Sequence, residues 1–243
     1  YEDRAADSDL PPLYIFTLVA IYRTLGRSAV NVALVQIGFD LVTITLVYLI
    51  GRRAFGGAAW PALLGAAFTA FYPYMLFQNL STNDTAIFTM LLMAGVYGAY
   101  RAAEAAGWRA VRWAVLVGVV YGLAALTKTL VVLMLPLLAI FWWRRAGFRQ
   151  AAGLAVAAGL ALVAMIAPWS IRNSLLHGTF VLTSTNDGSN LHQGNNPLAA
   201  DYLAQGWDVQ WLGFDDRPEG LSEVEESRWH RDAALAWLRD NPD

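Results

Sequence analysis

Apolar runs and short polar clusters alternate along most of the chain. Residues 29–51, 58–77, 85–100, 113–127, 129–143 and 151–169 are almost free of charge, and the clusters between them include GRRAFGG, QNLSTND, RAAEAAGWRAVR and RRAGFRQ. A helix needs about 20 apolar residues to cross roughly 30 Å of hydrocarbon. The pattern therefore predicts an all-α polytopic membrane protein, with spans at about 29–51, 58–77, 84–101, 110–127, 129–143 and 150–170. The first apolar run, 12–26, is shorter and ends in Arg23 and Arg27, which fits a helix lying in the membrane interface.

From residue 177 the pattern changes. The stretch FVLTSTNDGSNLHQGNNP (180–197) is rich in Asn, Gly and Ser, residues that specify turns. Only Leu221, Val224, Trp229, Ala233, Ala236 and Trp237 resume a helical spacing, which predicts an amphipathic helix. The expected organisation is a transmembrane core, 1–176, followed by a loop region on the outer face, 177–243. Beginning at Tyr1 and ending in RDNPD, the sequence is expected to be a fragment of a longer chain.

One position decides the number of spans. Lys128 is the only lysine, and it is the sole charge between Trp113 and Trp143. A single helix over those residues would be about 46 Å long and would hold an ammonium near mid-membrane, at a cost of roughly 2.5–3.5 kcal/mol. Two spans that turn at Lys128 avoid both. That topology collects arginines 52, 53, 101, 109, 112, 144, 145 and 149 on one face and leaves Arg4, Arg23, Arg27, Lys128 and Arg172 on the other. By the positive-inside rule the arginine-rich face is cytoplasmic, so Lys128, Arg172, Asp84 and the acidic tail are expected outside.

Composition agrees with the pattern. The hydrophobic fraction is 57%, the charged fraction only 15% against about 25% in soluble domains, and the mean hydropathy is +0.41. A net charge of −2 points to no nucleic-acid partner. With no cysteine there is no disulfide framework or thiolate metal site, and His192 has no second ligand at a metal spacing, so no metal site is expected. No phosphate-cradling or nucleophile-elbow motif is present.

The candidate chemistry gathers at the expected outer boundary. Asp84 follows Asn83 at the mouth of a span, and either residue can cap that helix; the alternative is an acidic site residue. Asp40 is the one mid-span acid, read as helix–helix glue rather than a site. Lys128 and Arg172 fit two readings equally, snorkelling to the headgroups or clamping a phosphate at the membrane surface. The amides of 180–197 suit a surface loop or hydrogen bonds to sugar hydroxyls. The small-residue run AAGLAVAAGLALVA (151–164) predicts close helix packing.

Several of these pieces, in order, resemble the bacterial GT-C glycosyltransferases related to protein O-mannosyltransferases and the lipid A aminoarabinose transferase. They are DLPPLYIFTLVAIYRTLG (9–26), LVYLIGRRAFG (46–56), YPYMLFQNLSTNDTAIFTMLL (72–92), GLAALTKTLVVLMLPLL (122–138), APWSIRN (167–173) and TSTNDGSNLHQGNNP (183–197). The resemblance implies a GT-C helix bundle in the cytoplasmic membrane of a bacterium or archaeon, with an interfacial helix and an outer-face loop region. It implies transfer of a sugar from a polyprenyl-phosphate donor to a lipid, glycan or protein acceptor, with membrane lipid as surroundings and no tightly bound cofactor. It tips Lys128 and Arg172 toward the donor phosphate and makes Asp84 a second acid or an acceptor-positioning residue. Asn186, Asn190, His192, Asn195 and Asn196 would shape the substrate cavity. The family's main catalytic acid is expected upstream of Tyr1, with Glu2 and Asp3 as stand-ins. A transporter or flippase, or a non-catalytic relative, is the alternative; the former needs mid-membrane charges and repeated halves, and only Asp40 offers such a charge.

Overall fold

The computed structural model describes residues 7–207, 209, 212–214 and 217–242. They form two compact units, one of Pro11–Pro168 and one that joins the described part of Tyr1–Leu10 to Trp169–Asp243. All regular structure among the described residues is helical.

In the larger unit, α1 (Pro12–Thr24) starts with proline at its first position, where the missing N–H is not needed. At 13 residues it is about 20 Å long, too short to cross a membrane. α2 (Ala29–Ala54) is capped by Ser28, whose Oγ accepts from the Val30 N–H, and it ends in Arg52 and Arg53. α3 (Ala59–Phe71) and α4 (Pro73–Gln78) follow, then α5 (Thr85–Glu104), α6 (Gly107–Ala125), a 3₁₀ turn (Thr129–Leu133), α7 (Met134–Ala146) and α8 (Phe148–His177). Among the described residues five helical segments are long and apolar enough to cross a membrane: Ala29–Ala54, Thr85–Glu104, Gly107–Ala125, Thr129–Ala146 and Phe148–His177. The apolar run 58–77 is not one helix. Tyr72 precedes Pro73 and is held extended (φ −68°, ψ 114°), which divides the run into α3 and α4.

The burial pattern is that of a protein in lipid. On α2 the buried side chains are Val32, Gln36 and Thr43, while Val30, Leu34, Ile37 and Leu41 are exposed. Polar groups inside and aliphatic ones outside reverse the soluble rule. Close backbone approach holds the bundle together. A Cβ on Gly118 of α6 would lie 2.1 Å from the Ala158 carbonyl oxygen of α8, as the small-residue run 151–164 leads one to expect. A Cβ on Gly95 of α5 would lie 1.9 Å from the ring of Tyr121, which is fully buried on α6. Trp142 of α7, also fully buried, donates its indole N–H to the Ala99 carbonyl at 3.0 Å.

In the smaller unit, the end of α8 receives residues 181–183: Trp169 Nε1 and Asn173 Nδ2 both donate to the Thr183 carbonyl, and Ser170 Oγ to that of Val181. The Asn/Gly-rich stretch expected as a loop contains a helix, α9 (Asp187–Gly194), followed by α10 (Ala199–Ala204). α11 (Glu223–Asp240) opens with a reciprocal capping box between Ser222 and Glu225. Its buried stripe is Ser227, His230 and Ala234, more polar than the apolar face expected from spacing. α9 lies against α11 so closely that a Cβ on Gly188 would meet the Ser227 carbonyl oxygen at 1.9 Å.

Candidate functional site

α5 and α6 form an antiparallel hairpin with chemically different ends. At one end Asp84 precedes α5 and Lys128 follows α6. Asn83 Oδ1 accepts from the Thr85 N–H at 2.9 Å, so the capping role goes to Asn83 and the Asp84 side chain makes no cap bond. The freed carboxylate meets the lysine, with Lys128 Nζ 3.0 Å from Asp84 Oδ1. The pair is half-open to solvent, the Lys128 side chain 45% exposed and that of Asp84 25%. Lys128 also stands 5.8 Å over the Phe88 ring. Its extended backbone (φ −139°, ψ 109°) ends α6 before the 3₁₀ turn begins.

α1 is tied to this end. The Leu13 N–H donates to the Leu126 carbonyl at 2.9 Å, and Tyr14 Oη to Gln36 Oε1 at 2.7 Å. Burial, and then the Asp84 charge, push the Tyr14 hydroxyl up to about 12. Gln36 Nε2 passes the network on to the Gln78 and Ser81 carbonyls. Asp40 lies midway along α2 but faces protein: its Oδ2 accepts from Asn79 Nδ2 at 2.6 Å, which joins α2 to the α4–α5 connection. Asp40 Oδ1 and Asn79 Oδ1 are buried acceptors without a hydrogen-bond partner.

The other end of the hairpin is cationic. Arg53 Nε lies 3.3 Å from Glu104 Oε1, and the Arg53 guanidinium stands 4.7 Å over Tyr97. Arg101 stacks 4.8 Å over Trp113, and Arg145 5.7 Å over Tyr100. Arg109 and Arg112 lie on the first turns of α6, beside Arg101. All eight arginines grouped by sequence mark one end of the helices, 52 and 53 closing α2, 101 closing α5, 144 and 145 closing α7, and 109, 112 and 149 near the starts of α6 and α8, while Lys128 and Asp84 mark the other.

The remaining candidates belong to the smaller unit. Arg172 Nη1 donates to the Asp7 carbonyl, Ser8 Oγ and Asn173 Oδ1, and its guanidinium stands 4.7 Å over Trp169. Asn186 lines a cavity of about 260 Å³ with Asp9, Thr185, Ser189, Glu223, Glu226, Ser227 and His230. Glu223 Oε2 is the hub there, accepting from the Ser8 N–H and Thr185 Oγ1, each at 3.0 Å, with His177 Nε2 at 3.6 Å. Burial, and then the Glu223, Asp7 and Glu226 carboxylates, hold the Asp9 carboxyl above its ordinary range. His192 is buried, with Nδ1 2.9 Å from His230 Nδ1 and its ring stacked on Phe214 at 4.0 Å.

The other amides are used locally. Asn195 Nδ2 donates to Leu191 O, and the buried Asn196 bonds His192 O, Gln193 O and the Leu198 N–H. Asn190 is exposed. Of the cavity residues expected from sequence, only Asn186 lines this cavity. Asp9 before PP and Glu223 at the opening of α11 look in sequence like ordinary boundary residues, and His230 like a polar position within a helix. Glu2 and Asp3 lie outside the described residues. Among the described residues no group of three or more His, Cys, Asp or Glu is arranged to hold a metal ion.

Lipid-facing helices around buried amides, with a carboxylate–ammonium pair at one end and arginines at the other, define a multi-pass membrane protein. Residues 9–171 match the family of dolichyl-phosphate-mannose-protein mannosyltransferases; this is about two thirds of the chain, which belongs to that family of membrane glycosyltransferases. Comparison with curated proteins and with solved structures gives no match. The matched region contains Asp9, Asp84 and Lys128, stops one residue before Arg172 and excludes the 183–197 segment.

Proposed function

We propose that this chain transfers a sugar from a polyprenyl-phosphate carrier to a lipid, glycan or protein acceptor at the outer face of the cytoplasmic membrane. The observation that carries the reading is the Lys128–Asp84 pair, 3.0 Å apart at the end of the α5–α6 hairpin opposite the arginines. Family membership supplies the reaction class. An acceptor hydroxyl or amine attacks the anomeric carbon, the carbon–oxygen bond to the phosphate breaks, and the bonding electrons remain on the phosphate. Lys128, placed but half-exposed, stabilises that charge as it develops. Asp84 fixes the ammonium in direction and leaves its other donors for the phosphate. A carboxylate takes the acceptor's proton, for which Glu2 and Asp3 are the candidates nearest the start of the chain. Arg172, with three oxygen partners holding it, is proposed as a donor-phosphate cation on its chemistry alone.

The arginine end supports a cytoplasmic assignment by the positive-inside rule. α3 and α4 together hold 19 helical residues, about 29 Å of helix, which supports counting 58–77 as a broken crossing. Asp40 bonded to Asn79 supports helix glue, which takes away the charge on which a transporter reading would rest.

Residues 1–243 contain no cysteine, so a single cysteine placed among them is a new label site. Transfer of labelled sugar from a polyprenyl-phosphate donor is measured in membranes from the full-length protein and from Lys128→Ala and Arg172→Ala. Loss of turnover with normal folding is expected, and full turnover in both variants refutes the phosphate role. Single cysteines at Arg52 and Lys128 are expected to label from opposite sides of sealed vesicles. Labelling of position 128 from the cytoplasmic side refutes the orientation.

A further inference from the structure

The arginine end of the hairpin encloses a second site. A cavity of about 800 Å³ opens between α5 and α6, lined by Arg101, Glu104, Arg109, Arg112, Trp113 and Leu116 together with the alanines of the α5–α6 turn. Three guanidinium groups face one carboxylate there, and that carboxylate is shared, since Glu104 lies 3.3 Å from Arg53 and 4.0 Å from Arg101. Neither Arg109 nor Arg112 is within ion-pair distance of any carboxylate among the described residues. Arg101 is held in place by the Tyr97 hydroxyl at 3.1 Å and by stacking on Trp113. The cavity thus keeps positive charge uncompensated, whereas Arg52 and Arg145 at the same end rest on Tyr48 and on Tyr100 and Phe141.

We propose that this cavity binds a phosphate-bearing anion, and specifically the headgroup of an anionic membrane phospholipid. Arginine forks match phosphate oxygens two at a time, and a basic recess at the membrane surface suits such headgroups. The lining passes from arginines to Trp113 and Leu116, which suits a ligand whose phosphate continues into hydrocarbon. Trp108 and Trp143 are exposed at this end, 75% and 57%, as aromatic side chains are at the headgroup level. The uncapped first turn of α6 adds partial positive charge without being needed for the site. The site lies at the opposite end of the hairpin from Lys128 and is independent of the proposed transfer reaction.

The test is native mass spectrometry of the purified full-length protein in detergent with dioleoyl-phosphatidylglycerol, dioleoyl-phosphatidylcholine or inorganic phosphate. The unaltered protein retains phosphatidylglycerol over phosphatidylcholine. The exposed pair Arg109→Ala/Arg112→Ala lowers that retention roughly thirtyfold, from the contribution of two cations near an anionic surface. Arg144→Ala/Arg149→Ala, which removes two arginines outside the cavity, leaves it within about twofold, the size expected for diffuse electrostatics alone. Equal losses in the two variants mean unspecific charge attraction and overturn the site. Retention of inorganic phosphate that Arg109→Ala/Arg112→Ala abolishes, without selective retention of phosphatidylglycerol, overturns the lipid as its source. Because the readout is lipid retention, an inactive transferase with a functioning site, and the reverse, are distinguishable.

Discussion

The two ends of the α5–α6 hairpin use cations in opposite ways. At one end a single lysine meets a single carboxylate at 3.0 Å, among amides and hydroxyls already committed to one another. At the other, several arginines crowd around one glutamate, and of the three that line the cavity two have no carboxylate within ion-pair distance among the described residues. The first arrangement fixes the direction of one charge. The second maintains a field. A fixed charge suits a reacting phosphate, whose developing charge must be met at a defined point, and a field suits a headgroup layer, whose position varies.

The comparison depends on the hairpin that separates the ends, so its largest test is structural. Gly118→Leu places a side chain where even a Cβ would sit 2.1 Å from a backbone oxygen of α8. Overpacking of this kind costs about 1–3 kcal/mol where neighbours can shift, and more against backbone. The expected outcome is loss of the monodisperse peak on size exclusion, and a normal elution profile contradicts the packing described.

Next, Lys128→Ala is expected to lower sugar transfer by about 10²–10³, the usual loss on removing one oxyanion-stabilising donor. Arg112→Ala is expected to leave transfer within about twofold. Similar losses in the two variants erase the functional difference between the ends. A smaller effect follows from Asp84→Asn, which keeps the ammonium but releases it: roughly tenfold in turnover, because misplacement costs less than removal. Turnover in that variant as low as in Lys128→Ala gives Asp84 a role of its own in the chemistry. The smallest effect is at the arginine end. Arg53→Ala breaks a partly exposed pair with Glu104 and is expected to change thermal stability by no more than about 1 kcal/mol, with transfer intact.

Much of this layout was legible in the sequence, for physical reasons that also mark where legibility stopped. Span lengths and arginine spacing report membrane thickness and the side of insertion, both properties of the surroundings, so the turn at Lys128 and the arginine end could be read from one strand of text. Contacts between distant residues could not. Asp84 and Lys128 are 44 positions apart, and nothing local showed that Asn83 would take the cap and free the carboxylate. Asp40 was read as glue, but its partner Asn79 lies in a different helix connection. Pro73 stood in plain view inside 58–77, yet average hydropathy passed over the break it imposes. α9 was hidden by its Asn, Gly and Ser composition; it is stabilised by tertiary packing on α11, which local propensity does not record.

The tight seams of the bundle have a consequence for the route of a substrate. Where α6 and α8 meet at Gly118 and Ala158, and α5 and α6 at Gly95 and Tyr121, not even a methyl group fits. An isoprenoid tail therefore has no passage at these two points. For the lipid-linked donor proposed above, these two seams are closed, and its hydrocarbon would have to lie elsewhere.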